Sequence, residues 1–114
     1  MNLYIAKLIF NINIESTNLQ QEVHQFDEQT RIIKALTLDN AFTKARLIGK
    51  KEENTFIDQS NKQVTWKFID VIELYSIQNM QDGEQLYGQT HEMENVDTFI
   101  EYAKHKSMII QTRF

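Results

Sequence analysis

The chain has 114 residues and a formal net charge of −4, with 41% hydrophobic and 25% charged residues. That length suits one domain, residues 1–114, with a single core, and the composition excludes an intrinsically disordered chain. It has no cysteine, which excludes disulfides, thiolate metal sites and cysteine nucleophiles, and fits a soluble protein of the cytoplasm.

Residues 3–14 alternate, with Tyr4, Ala6, Leu8, Phe10, Ile12 and Ile14 on one face. Successive strand side chains point to opposite sides, so this is a long strand with one wholly apolar face. Leu3, Ile5 and Ile9 share the other face with Lys7, Asn11 and Asn13. Those polar interruptions, with no charged leader before them, are unlike a signal peptide. Residues 15–25 are polar and turn-like, and a second strand from Phe26 to Leu36 follows as the return arm of an antiparallel hairpin.

Thr37 or Asp39 can cap the next helix, where Leu38, Ala41, Phe42, Ala45 and Ile48 recur at three- and four-residue spacing. Gly49 either ends that helix or lets it approach another backbone. Phe56 and Ile57 read as an apolar anchor, and Ser60, Asn61 and Lys62 as a turn. Gln63 to Ile77 is the most strand-like stretch. Val64, Trp66, Phe68, Ile72 and Leu74 share one face and Ile69, Val71, Tyr75 and Ile77 the other, as in a strand buried on both sides. A bulge near Asp70 would re-phase this alternation.

Asp82-Gly83 is a strong turn signal, and Glu84 to Glu92, interrupted by Gly88, is expected to form an edge strand. Asn95 can cap a last helix with Val96, Phe99, Ile100 and Ala103 on its apolar side. The expected fold is therefore α+β, in the order β-β-α-β-β-α. A four-stranded, mainly antiparallel sheet carries helices on one face.

With the segments placed, a resemblance appears. Tyr4-x-Ala6-Lys7-Leu8 opens the chain, Gln25-Phe26-Asp27-Glu28 the second strand, and Ala35 closes it. The helix carries Ala41-x-x-x-Ala45-x-x-x-Gly49-x-x-Glu52-Glu53. The most specific part is Val64-x-Trp66-x-Phe68-x-x-Val71-x-x-Leu74-Tyr75, followed by Asp82-Gly83-x-x-Leu86-Tyr87. This pattern resembles a small bacterial family catalogued as domain of unknown function 4288, over roughly the first 90 residues. Gln85 stands where that pattern usually has an acidic residue, with Glu84 beside it. The resemblance implies a fold unit and no particular reaction.

Sites of chemistry are sparse. His24, His91 and His105 lie on different segments, and the one local cluster, His91 with Glu92 and Glu94, reads as a polar loop rather than a metal site. No cofactor is expected. No serine sits in a nucleophile elbow, and three glycines cannot build a phosphate loop. Lys44, Arg46, Lys50 and Lys51 run into Glu52 and Glu53, which marks a solvated helix face rather than a nucleic-acid surface. No apolar run is long enough to cross a bilayer. Glu28, Arg31, Asp70 and Glu73 read as cross-strand ion pairing more readily than as an acid–base set.

The clue that remains is the second sheet face. Helices on one face leave Ile5, Ile9, Ile33, Ile69, Val71 and Tyr75 available to the other, an unusual apolar patch for a monomer. The favoured expectation is a non-enzymatic association module that forms a homodimer, or binds another protein, through that face. One alternative is a small-molecule-binding protein or enzyme. Its cleft would lie between the sheet and the loops at 15–25 and 78–84, lined by Glu28, Arg31, Trp66 and Tyr87. A further alternative, resting on size and acidity alone, is an immunity or antitoxin-like partner.

Overall fold

The computed structural model describes residues 1–15, 23–78 and 80–114. In chain order the elements are β1 (Asn2–Ile14), β2 (Val23–Ala35), α1 (Leu38–Lys51), β3 (Asn54–Ile57), β4 (Gln63–Ile77) and α2 (Val96–Gln111). The fold is α+β in the order β-β-α-β-β-α. The four strands form one sheet in the order β2-β1-β4-β3, with every neighbouring pair antiparallel.

β1 and β4 are the interior strands, and β1 carries the more continuous buried face. Tyr4, Ala6, Leu8 and Phe10 are all buried on its apolar face. Opposite Tyr4 on β2 stands Ile33, and opposite Phe10 on β4 stands Phe68. α1 lies across this face. Thr37 caps it, its hydroxyl accepting from the Asn40 amide at 3.3 Å. Asp39 in its first turn and Lys50 and Lys51 in its last complement the helix dipole. Ala41, Ala45 and Gly49, four residues apart, form a buried stripe of small residues that lets the helix axis sit low over the sheet.

Gly49 is therefore interior to the helix and serves close approach. A Cβ built there would stand 2.3 Å from Cε1 of Phe68. Beneath α1 the rings of Phe10 and Phe68 pack at 5.5 Å between centroids, and those of Phe10 and Trp66 at 6.0 Å. Both are tilted geometries, which the ring quadrupoles favour.

β4 is bulged around Asp70, as the broken alternation suggested. Its register against β1 shifts twice, between Lys7 and Leu8 and between Ile9 and Phe10. Ile72 and Ile69 fall in the shifts and are half exposed. Val71, between them, turns toward the α1 side and packs against the core. Bulges leave amides without ladder partners, and carboxylates serve two here. Glu53 accepts from the Phe68 amide at 3.0 Å, and Asp70 accepts from the Val71 amide at 2.8 Å.

Two elements depart from the sequence reading. The fourth strand is β3, Asn54–Ile57, where an apolar anchor was expected, and residues 84–92 contain no strand. The reason is a tight hairpin. The Asp58 carboxylate accepts from the amides of Ser60 and Lys62, Asn61 takes a positive φ of 62°, and β3 returns directly onto the start of β4. That occupies the edge which the later segment would have needed. The second departure is α2. Asn95 caps it as expected, accepting from the Thr98 amide at 3.1 Å. None of its residues is buried and it packs on no strand, so α1 alone covers the sheet among the described residues.

Candidate interaction surface

The face of the sheet away from α1 follows from the strand register. Residues opposite one another share a face, so β1 contributes Leu3, Ile5, Lys7, Ile9 and Asn11. β2 adds Ile32, Thr30, Glu28 and Phe26, and β4 adds Ile77, Tyr75 and Glu73, while the Asp70 carboxylate at the bulge reaches Arg46 of α1. This face is mixed rather than uniformly apolar. Its middle is crossed by Lys7, whose ammonium lies 3.2 Å from the Glu73 carboxylate on the neighbouring strand. The hydrogen bond from Lys7 to Glu73, then their opposite charges, raise the Lys7 pKa above the ordinary lysine value. To one side of this ionic row lie Leu3, Ile5, Ile32, Ile77 and Tyr75, and to the other Ile9 and Phe26.

The chain itself partly closes the first of these patches. After β4 it turns at Asp82-Gly83, with Gly83 at φ 86° and the Glu84 amide bonded to the Gln81 carbonyl at 3.1 Å. Gly suits this turn because a side chain would strain at that φ. The returning segment stacks Tyr87 on Tyr75, with ring centroids 4.4 Å apart and planes 18° from parallel. Ile5 is 8% exposed on this side, while Ile32 and Phe26 remain 61% and 66% exposed.

Of the six residues expected on this face, Ile5, Ile9 and Tyr75 lie there. Ile69 emerges, half exposed, at a bulge. Ile33 and Val71 do not. Ile33 is paired with Tyr4 and buried in the α1-side core, and the bulges turn Val71 to the same side. The four residues of the alternative cleft do not converge. Glu28 and Tyr87 lie on the face away from α1, whereas Arg31 and Trp66 lie on the α1 face, on strands flanking β1. Of the loop at 15–25, residues 16–22 lie outside the described residues. Trp66 borders an open depression of about 500 Å³ with Glu53, Thr55 and Lys67, at the β3 edge.

Arg31, Glu73 and Asp70, singled out by sequence, each find a partner on another element. Arg31 meets Glu52 of α1 at 3.2 Å, Glu73 meets Lys7, and Asp70 accepts from two guanidinium nitrogens of Arg46 at 3.0 Å. Arg46 also lies 4.2 Å over the Phe42 ring. No group of three or more His, Asp or Glu able to hold a metal occurs among the described residues. Sequence reasoning put Arg46 and Glu53 on a solvated helix face and missed that they tie α1 to β4 around the bulge. Both pairings join positions distant in sequence, so no periodicity announces them.

The Arg46 hydrogen bond, then that of the Val71 amide, hold the Asp70 carboxyl below the usual Asp value. The folded state thus favours the ionised form. Its contribution to stability is full above the unfolded-state pKa near 4 and is lost as pH falls through the lower folded value. Asp70→Asn should remove this part of the acid sensitivity. Urea midpoints of the two proteins should differ at pH 6 and draw together as pH falls below the unfolded-state value. A constant difference across that range would show that the pair does not titrate as stated.

No helix among the described residues is long and apolar enough to cross a membrane. No curated protein and no solved structure matches the chain. A family model does match residues 3–88, which hold α1, the Tyr87 stack and all of the sheet but its first residue, and not α2. The small stripe under α1, the carboxylates at its end, the bulged β4 and the Asp-Gly turn are the features that set the architecture of this stretch. The chain belongs to the family described as Domain of unknown function (DUF4288).

Proposed function

We propose that this chain is a non-enzymatic association module whose docking surface is the sheet face away from α1, in the simplest case meeting the same face of a second copy as a symmetric homodimer. The observation that supports this reading is the one-sided layering of the sheet. α1 packs on one face only, while Ile9, Ile32 and Phe26 on the other carry no helical layer. Apolar side chains left in water on a sheet face favour association because covering them removes that area from solvent. The Lys7–Glu73 row divides the patch and would set the register of whatever lies across it.

The family motif supports the same reading. Ala41, Ala45, Gly49, Glu52 and Glu53 each have a packing, ion-pairing or amide-capping task between α1 and the sheet. Glu53 also borders the open depression beside Trp66, but its carboxylate is engaged by the Phe68 amide. Ile9→Lys and Ile69→Lys test the reading. Each should leave the circular dichroism spectrum intact and remove one association step in sedimentation velocity at tens of micromolar protein. Unchanged mass in both would place association elsewhere or exclude it.

A further inference from the structure

We infer that the outer edge of β2 pairs antiparallel with the β2 edge of a second copy, about a two-fold axis through Gln29, joining two sheets into one of eight strands. This rests on the association reading above but uses a different surface. β2 is the terminal strand of the sheet and runs for 13 residues. No described segment pairs with its outer side between Gln25 and Ile33. An edge of that length presents a row of unpaired amides and carbonyls. Natural edges are usually protected by proline, a bulge, charged side chains or a covering segment. β2 has no proline, and its ladder with β1 is continuous from end to end.

Its charges are also arranged for a copy of itself. The acids Asp27 and Glu28 come first and the bases Arg31 and Lys34 last. In a sheet extended by a two-fold axis, each residue must pair with one from the same face. Only registers centred on a residue satisfy this. Centred on Gln29, Asp27 meets Arg31 of the other copy on the α1 face, twice. Phe26 meets Ile32 on the opposite face, also twice. Opposite charges and aromatic–β-branched neighbours are favourable cross-strand pairs. Centring on Glu28 instead sets Phe26 against Thr30, and centring on Thr30 sets Phe26 against Lys34 and Glu28 against Ile32.

The edge is already ordered for this contact. Gln29 donates to Asp27 at 2.9 Å, and the Arg31 guanidinium donates to Gln29 at 2.6 Å. Asp27, Gln29 and Arg31 thus stand as a hydrogen-bonded row along one face of the strand. Ordering long polar side chains before contact lowers the entropic cost of association. Phe26 and Ile32, the residues this register pairs, are among the most exposed large apolar side chains on the sheet. A two-fold axis normal to the sheet also puts the two faces away from α1 on the same side. The docking surface proposed above is thereby doubled.

The test uses the full chain. In Asp27→Arg every edge pair becomes Arg against Arg, and in Arg31→Asp every pair becomes Asp against Asp. Each variant alone should lose the edge contact in sedimentation velocity. An equal mixture should regain it as a mixed dimer resolved by native mass spectrometry, because each edge arginine of one chain then meets an aspartate of the other. Gln29→Lys, which sets two lysines together on the axis without touching the core, should also lose the contact while retaining the wild-type melting profile. Wild-type mass in all three variants, or a mixture that fails to regain the contact, would overturn the inference. The face reading fails separately. If Ile9→Lys and Ile69→Lys change nothing while the charge swap behaves as stated, the edge is the interface and the face is not.

Discussion

In dilute, monomeric protein, Phe10→Ala should destabilise the chain by about 3–5 kcal/mol in urea unfolding, against about 0.5 kcal/mol or less for Phe26→Ala. The residue type is the same, and both lie on strands that pair with each other. Phe10 is fully buried beneath α1 and contacts both Trp66 and Phe68. Its removal leaves a cavity among rings fixed on β4, a bulged strand with little freedom to collapse inward. Phe26 is 66% exposed on the other face and surrenders little on truncation. A domain of this size has about 5–15 kcal/mol to lose. Phe10→Ala should therefore leave a measurable unfolded population at room temperature. Equal midpoints for the two variants would mean that α1 does not define the core.

Much of this fold could be read from periodicity because its organising strand is simple. β1 alternates without error on the α1 side, and a strand with one wholly apolar face has one natural register. α1 was legible from its cap and its three- and four-residue spacing. The limits appear where both faces of a strand carry apolar residues. On β2, Ile32 and Ile33 are equally hydrophobic, and only the pairing of Tyr4 with Ile33 decides that Ile33 is core. On β4 the sequence marked Asp70 as the break in phase. Val71 changes sides because two register shifts occur, not one. β3 has four residues, too few for a period to show, and its position depends on the Asp58 turn.

The candidate surface was legible in part for the same reason. Ile5, Ile9 and Tyr75 fall on it by simple alternation. The closure of its upper patch by Tyr87 depends on where the chain goes after Asp82-Gly83. A turn signal gives a reversal but not a landing point. The ion pairs Lys7–Glu73, Arg31–Glu52 and Arg46–Asp70 join residues on different elements. Composition shows that such charges exist, and only the fold selects partners. α2 shows the converse. Its cap and spacing identify a helix, yet helix formation and helix docking are separate events. An amphipathic pattern does not say which surface receives it.

Gly49→Ala should cost about 2–3 kcal/mol, although alanine is the better helix former by about 1 kcal/mol at an ordinary interior position. The added methyl would lie 2.3–2.7 Å from three carbons of the Phe68 ring, well inside contact distance. That ring cannot swing aside easily, since it packs on Phe10 and its own amide is held by Glu53. α1 would have to rise from the sheet, loosening Ala41 and Ala45 over their shared stripe and stretching the Arg46–Asp70 and Arg31–Glu52 links. Phe68→Leu in the same chain should recover part of the loss, because a smaller side chain gives the methyl room. The coupling between the two changes should then exceed about 0.5 kcal/mol in a double-mutant cycle. If Gly49→Ala instead stabilises the chain, as helix propensity alone dictates, then α1 does not approach β4 as closely as described. Additive effects of the two changes would point the same way, and the account of how the small stripe seats this helix would fail.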